Sequence, residues 1–178
     1  EKAGLLAAQN AAMTHGHELG YIPAGMLGYC ISTLAHKENP SLLTVIQCSM
    51  DWAARQFSTA KHLPELTALV EQAVSLAAST LPDEEAIPML GEGWVAEETL
   101  AIAVYCALKY EHNFDRGLIA AVNHDGDSDS TGAVTGNLLG ASLGLSGIPL
   151  KYQHTLELRE IILELADDLC HGCPVGYG

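Results

Sequence analysis

Apolar residues recur at helical spacing along nearly the whole chain. Between residues 64 and 80, one stripe of side chains follows steps of three and four residues, as on the buried face of a helix. The members of this stripe are Leu66, Leu69, Val70, Ala73, Val74 and Ala77. The pattern predicts helices over 3–14, 22–36, 41–58, 64–80, 95–110, 114–124, 130–145 and 155–170. We find no convincing strand or repeat, so we predict one compact all-α domain over residues 1–178.

The last predicted helix carries a second apolar stripe, and we expect its members to be buried in the same way. They are Leu158, Ile161, Ile162, Leu165 and Leu169. Farther upstream, Pro82 and Pro88 bracket an acidic segment. We predict a loop there, because proline punctuates helices.

One predicted helix contains glycine at every fourth position, at Gly132, Gly136, Gly140 and Gly144. Each glycine costs a helix interior about 1 kcal/mol relative to alanine. Close approach of neighbouring helices would offset this cost, so we predict that this is the central packed helix. A membrane dimer stripe is the alternative, but Thr135, Asn137 and Ser142 make the segment too polar for it.

Charge narrows the candidate functions. The chain carries 22 acidic and 8 basic residues, for a net charge of −14. Such a surface repels the phosphates of nucleic acids and anionic lipid headgroups. The apolar content of 48% is too high for a disordered chain, and no uncharged apolar run reaches the roughly 18 residues of a membrane span. We therefore expect a folded, cytoplasmic protein that binds neither nucleic acid nor membranes.

The five cysteines do not indicate a disulfide framework, because their number is odd and their spacing is sparse. Cys30, Cys48 and Cys106 lie in apolar helical segments, where we expect them in the core. Cys170 and Cys173 form a lone Cys-x-x-Cys pair. A structural zinc site needs about four ligands, so this pair alone does not predict one.

The clearest chemical signal is the acidic turn at residues 123–132, with the sequence NHDGDSDSTG. Its three carboxylates would repel one another in a dry site, and a hard divalent cation with oxygen ligands would relieve that repulsion. The turn does not match an EF-hand, because Ser130 stands where that loop needs glycine and the twelfth position is not glutamate. A divalent-cation site and a solvent-exposed helix cap are the two remaining interpretations.

Three parts of the chain resemble the ADP-ribosylglycohydrolases. Residues 126–133 (GDSDSTGA) and 136–141 (GNLLGA) are similar to the family's C-terminal signature. Residues 91–103 (GEGWVAEETLAIA) resemble a segment that precedes this signature, and residues 13–17 (MTHGH) resemble the family's Thr-His segment between two helices. These motifs occur in the family's order, and the resemblance extends over almost the whole chain.

The resemblance implies an all-α fold with two magnesium ions in a central cleft. It assigns metal binding to Asp127, Asp129 and Ser130, which match the family's Asp-x-Asp-hydroxyl motif. Manganese is an alternative to magnesium. Asp125 stands where the family usually has glycine, which adds a carboxylate beside these ligands.

The resemblance also implies that ADP-ribose, or an ADP-ribosylated substrate, is the binding partner. It places His15 near the bound ligand and the segment Glu92-Gly93-Trp94 against the nucleotide. The indole of Trp94 would stack on adenine. The alternatives are structural: His15 would only cap or end a helix, and Trp94 would be a core anchor.

The family carries further metal ligands, in an acidic Thr-Asp-Asp type cluster, in an N-terminal section that is not found in this sequence. We therefore expect the chain to be the C-terminal portion of an ADP-ribosylglycohydrolase-like fold, with the N-terminal section missing. The apolar helix faces that such a loss exposes would favour self-association.

The expected function is that of a magnesium-dependent hydrolase. It would cleave the glycosidic bond of ADP-ribosylated protein or of small ADP-ribosyl compounds, either alone or as part of a longer chain. No catalytic residue is assigned within this sequence. Two alternatives remain: a non-catalytic module that binds ADP-ribose, and a structural helical domain whose acidic turn is only a helix cap.

Overall fold

The structure, a computed structural model, describes residues 1–38 and 40–172. Within these residues the regular elements are helices and no strand occurs, which confirms the predicted all-α fold. The chain divides into two compact units, the first over Glu1–Gly147 and the second from Ile148 onward. In this described part, no helix is both long enough and apolar enough to cross a membrane.

The helices of the first unit follow one another through short connections. They are α1 (Lys2–Ala12), α2 (Glu18–His36), α3 (Leu42–Gln56), α4 (Leu63–Ala77), α5 (Asp83–Ala86), a 3-10 helix (Ile87–Met89), α6 (Ala96–Lys109), α7 (Phe114–Val122) and α8 (Ser128–Gly147). The second unit contains α9 (Leu150–His154) and α10 (Arg159–His171). Every helix predicted for the first unit is present, with ends that differ by up to four residues.

Helix α6 lies at the centre of the first unit. All residues from Thr99 to Ala107 are buried, and α2, α4, α7 and α8 pack against this helix. Several of these residues are alanines, whose small side chains let neighbouring helices come close. The first turn of α6 follows directly after residues 91–95, so the buried helix determines where that segment lies.

The glycine-rich helix α8 packs closely at its start. A Cβ atom at Gly132 would lie 2.6 Å from Cγ1 of Val122 on α7, so this glycine permits close helix contact. At Gly136 and Gly144 a Cβ atom would meet nothing within 4 Å. The prediction that close packing explains the glycines is therefore wrong at these two positions, and α6 is the central helix. Gly144 has a φ of +69° and interrupts the helix instead.

The segment between Pro82 and Pro88 is not the predicted loop. It forms α5 and the 3-10 helix, in which Pro88 stands at the second position. Proline is tolerated there because the first backbone N–H groups of a helix have no intrahelical partner. A proline pair can therefore bracket helical turns as well as a loop.

The second unit differs from its prediction in two respects. Helix α10 begins at Arg159, because Leu158 adopts a left-handed conformation with a φ of 57°. The apolar stripe of this helix is exposed, not buried; its members are Leu158, Ile161, Ile162, Leu165 and Leu169. Helical spacing shows which face of a helix is apolar, but it does not show whether another surface covers that face.

The cysteines of the first unit lie largely in the core, as predicted. Cys30 and Cys106 are buried, and Cys48 is half-buried. Burial raises the pKa of Cys30 to about 11 and that of Cys106 to about 12, so both thiols stay protonated and unreactive at neutral pH. Cys173 of the Cys-x-x-Cys pair lies outside the described residues.

A polar cluster near the end of α6 anchors α5. Oδ1 of Asp83 accepts hydrogen bonds from the Tyr105 hydroxyl (2.6 Å) and the Lys109 ammonium (2.8 Å). Its Oδ2 accepts from the Tyr110 hydroxyl (2.7 Å). Burial alone would raise the pKa of the Asp83 carboxyl. The hydrogen bonds outweigh this effect and hold the pKa below its ordinary value.

Replacing Asp83 with alanine should destabilise the chain by roughly 2–3 kcal/mol at about pH 7. The substitution leaves the Lys109 ammonium, whose side chain is only 18% exposed, without its carboxylate. Because the folded-state pKa of Asp83 is lowered, its contribution is present above about pH 4 and is lost as the pH falls through the lowered pKa. Denaturant unfolding between about pH 7 and pH 2 measures both effects.

Glu85→Ala is the matched control for this prediction, since Glu85 is an exposed carboxylate on the same short helix. It should change the free energy of unfolding by less than about 0.5 kcal/mol. An equal loss in both variants, or a loss in Asp83→Ala that persists at low pH, would contradict the assigned role.

Candidate functional site

The glycine loop, residues 91–94, leads into α6. Gly91 and Gly93 have φ values of +116° and +80°, which residues with a side chain rarely adopt. These two positions turn the chain and place Trp94 outward, where it is 68% exposed. The alternative interpretation, in which Trp94 is a core anchor, is therefore wrong.

Helix α6 holds the glycine loop through two adjacent side chains. Oε2 of Glu98 accepts the backbone N–H groups of Glu92 (3.1 Å) and Gly93 (3.0 Å). The Thr99 hydroxyl donates to the carbonyl of Gly93 (2.7 Å). A Cβ atom at Gly91 would lie 2.4 Å from Cδ of Glu98, so glycine is required where this carboxylate reaches back.

The acidic turn is held by a histidine and a buried threonine. Nδ1 of His124 accepts the N–H of Gly126 (3.1 Å), which leaves Nε2 to donate to the Thr131 hydroxyl (2.9 Å). That hydroxyl in turn donates to the Ala121 carbonyl on α7 (2.7 Å). The turn is thereby fixed to the end of one helix and the start of the next.

The glycine loop and the acidic turn contact each other through their backbones. The N–H of Asp127 donates to the carbonyl of Glu92 over 2.7 Å. A Cβ atom at Gly126 would lie 1.8 Å from this carbonyl oxygen, and one at Gly93 would lie 2.8 Å from Cγ2 of Thr131. Side chains at either glycine would push the two segments apart.

Two of the three carboxylates in the acidic turn come together. The side chains of Asp129 and Ser130 lie within hydrogen-bonding reach of the Asp127 carboxyl, and hydrogen bonding with them, Asp129 first, lowers the pKa of Asp127. Asp127 and Asp129 can share such a bond only while one of them carries a proton, so the two ionised carboxylates repel each other. Asp125 does not complete a cluster with them: within the described residues, no group of three His, Cys, Asp or Glu side chains is placed to hold a metal ion. The turn thus offers two carboxylates and one hydroxyl at one place.

This donor set fits part of a magnesium or manganese site. Asp127, Asp129 and Ser130 supply oxygen atoms, which both cations prefer. A cation between neighbouring carboxylates would also relieve their repulsion. Magnesium takes about six oxygen ligands, so water, a bound substrate or another protein segment would have to complete the coordination.

A cavity of about 420 Å³ opens beside the donor set. Asp127, Ser130 and Thr99 form its polar side. Its apolar side includes Pro23 and Leu27 of α2, Trp94 and Val95 after the glycines, and Leu100 and Val134 on α6 and α8. The volume lies within the range of roughly 300–1,000 Å³ that is usual for small-molecule sites.

The structure brings four of the predicted site residues to this one cavity: Gly93, Trp94, Asp127 and Ser130. Asp129 is exposed, and its side chain lies close to that of Asp127, which lines the cavity. These residues come from two separate motifs, so their meeting is a property of the fold.

Glu92 and His15 lie outside the cavity lining. Glu92 is exposed and lines a neighbouring pocket of about 390 Å³, together with Asp125, although its backbone contacts Asp127. His15 is exposed in the connection between α1 and α2, where its Nδ1 lies 2.9 Å from the Thr14 hydroxyl. It lines neither of these two pockets, and its contact with a ligand stays a prediction.

Sequence reasoning misses the side chains that hold the site together, namely Glu98, Thr99 and Thr131. For Glu98 a signal exists: a glutamate at the third helical position commonly reaches back to a backbone N–H, and here it follows a Gly-x-Gly segment. For Thr131 no such signal exists, because a threonine that begins a helix usually acts as a cap.

Fold and site together define an all-helical protein in which an Asp-Ser-Asp-Ser turn borders an aromatic-edged cavity. The family model of the ADP-ribosylglycohydrolases matches residues 1–177. The chain therefore belongs to the ADP-ribosylglycohydrolase family, as its motifs predict.

Curated relatives agree with this assignment at low identity. The chain is 24% identical to human ADP-ribosylhydrolase ARH3 over 180 aligned positions, which cover 90% of this chain and 50% of the human protein. The bovine ADP-ribosylhydrolase ARH3 is also 24% identical, with 49% of its length covered. The chain thus spans about half the length of the curated relatives it matches.

Substituting alanine for Gly126 tests the contact between the two segments. The new Cβ would overlap the Glu92 carbonyl oxygen, and relieving this overlap should cost roughly 2–3 kcal/mol of stability. Gly136→Ala is the matched control: its Cβ meets nothing within 4 Å, so it should stabilise the helix by up to about 1 kcal/mol. Thermal and denaturant unfolding measure both changes, and a neutral Gly126→Ala would exclude the tight contact.

Proposed function

We propose that this chain forms the ADP-ribose- and magnesium-facing part of a hydrolase that cleaves the glycosidic bond of ADP-ribosylated protein or of small ADP-ribosyl compounds. The supporting observation is the cavity that Trp94 shares with Asp127 and Ser130. Family membership and the names of the two relatives, both ADP-ribosylhydrolases, agree with this substrate class.

Trp94 and the apolar side of the cavity would receive the adenine base. An exposed indole at the rim of a pocket offers a flat apolar face, and stacking of a base on such a ring is worth about 1–3 kcal/mol. Val95 and Leu100 line the same cavity and would exclude water from the bound ligand. The N–H groups of Glu92 and Gly93 already donate to Glu98. The glycine loop would therefore contribute the Trp94 ring and a close approach of its backbone to the ligand, and not these two N–H donors.

Asp127, Asp129 and Ser130 would hold magnesium, with manganese as a substitute. When bound, the metal would supply charge neutralisation and orientation of the ribose hydroxyls and of a water molecule. The two aspartates would act as ligands and not as nucleophiles, and we assign no general base within this chain. Because a diphosphate beside two carboxylates is repelled, ADP-ribose binding should depend on magnesium.

Fluorescence of Trp94 tests whether the cavity binds ADP-ribose. Adding ADP-ribose with magnesium should change the emission of the exposed Trp94, while the buried Trp52 contributes a constant background. Trp94→Leu should remove this change and weaken binding about tenfold, within the range for one stacked base. Because Trp94→Leu has lost the fluorescence signal, its affinity for ADP-ribose is measured by calorimetry.

The metal ligands are tested in the same titrations. Combining Asp127→Asn with Asp129→Asn should abolish magnesium-dependent binding of ADP-ribose, because both carboxylates are lost. Asp125→Asn removes one negative charge from the same turn and is the control for a general loss of charge there. Binding that is equally strong without magnesium, or that survives in the double variant, would contradict the proposal.

A non-catalytic module that binds ADP-ribose is the second candidate. The observation that favours it is the small donor set of the acidic turn, which offers only two carboxylates and one hydroxyl. Release of ADP-ribose from an ADP-ribosylated peptide separates the two: a hydrolase releases it in the presence of magnesium, whereas a module binds the peptide and leaves the bond intact.

A further inference from the structure

We propose that Glu98 is a positioning residue that holds the glycine loop against the acidic turn and so sets the separation between Trp94 and the carboxylate of Asp127. The identity of the ligand rests on the proposed function, but the positioning role rests on contacts within the chain. Glu98 is not among the residues that line the cavity. Its effect on the site must therefore pass through the backbone of the loop.

The first step is the hydrogen bonding of Glu98 to the glycine loop. One carboxylate oxygen accepts two backbone N–H groups, from Glu92 and Gly93. Hydrogen bonds to an ionised acceptor are roughly twice as strong as neutral ones. A glutamate at this helical position ordinarily reaches the capping residue three positions earlier, but Glu98 reaches five and six residues back and captures the glycine loop.

The second step leads from the loop to the acidic turn. Glu92 donates its N–H to Glu98 and accepts at its carbonyl the N–H of Asp127, at 2.7 Å. Side chain, loop and turn thus form a continuous series of hydrogen bonds. The series ends at Asp127, which lines the cavity.

Steric contacts leave this series little freedom. A Cβ atom at Gly91 would lie 2.4 Å from Cδ of Glu98, and one at Gly93 would lie 2.8 Å from Cγ2 of Thr131. The loop is therefore confined between the side chain that holds it and the turn that it supports. Without the carboxylate, the loop would relax and release the N–H of Asp127.

A simpler role for Glu98 is the favourable interaction of any acidic residue with the first turn of a helix. Glu97 separates the two roles. It lies in the same first turn with the same charge, and its side chain makes no hydrogen bond or ion pair among the described residues. A dipole effect would appear in variants of both residues, whereas positioning would appear only in variants of Glu98.

Amide hydrogen exchange measured by NMR tests the proposal without any ligand. In Glu98→Ala the Asp127 amide should exchange at least tenfold faster than in the wild type, along with the amides of Glu92 and Gly93. Glu98→Gln keeps an acceptor oxygen and should give an intermediate rate. Glu97→Gln should leave the Asp127 rate within about twofold of the wild-type rate, and core amides of α6 should stay protected in every variant that folds.

Unchanged protection of Asp127 in Glu98→Ala, or equal acceleration in Glu97→Gln, would overturn the proposal. If Glu98→Ala does not fold, the exchange rate of the Asp127 amide in Glu98→Gln decides instead: a rate equal to that of the wild type would overturn the proposal. ADP-ribose titration adds a second readout: Glu98→Gln should weaken binding several-fold and Glu97→Gln should not. Wild-type protein that fails to bind ADP-ribose would contradict the proposed function, and the exchange rates would still decide the role of Glu98.

Discussion

The candidate site depends on one backbone hydrogen bond, from the N–H of Asp127 to the carbonyl of Glu92. It joins two segments that are far apart in sequence and have different properties: one presents an aromatic ring, and the other presents carboxylates. Gly126 allows the approach, because a side chain there would collide with the same carbonyl oxygen. Trp94 and Asp127 consequently border the same cavity.

The helical scaffold explains how so short a contact is maintained. The buried helix α6 supplies Glu98 and Thr99, which hold the glycine loop, and the start of α8 carries the acidic turn. Thr131 anchors that turn to α7 through the Ala121 carbonyl. The groups that would meet a ligand lie on tight turns, but each turn is fixed by buried neighbours, as a site that must keep its geometry requires.

Sequence alone could predict the helices of the first unit and the two motifs, because apolar spacing and unusual glycine and aspartate patterns are local features. It could not predict the bond between Glu92 and Asp127, which depends on the packing of α6 against α8. It also assigned burial to the stripe of α10, whose members are exposed. Local patterns give the identity of the chemical groups, whereas their distances and burial depend on tertiary packing.

The most direct measurement is the scalar coupling across the hydrogen bond between the amide nitrogen of Asp127 and the carbonyl carbon of Glu92, observed by NMR on isotopically labelled protein. A resolved coupling between these two nuclei is the result that this account predicts, because the nitrogen and oxygen are 2.7 Å apart. If no coupling is found there while backbone bonds within α6 show theirs, the two motifs are not joined as described, and the single site built from them would have to be abandoned.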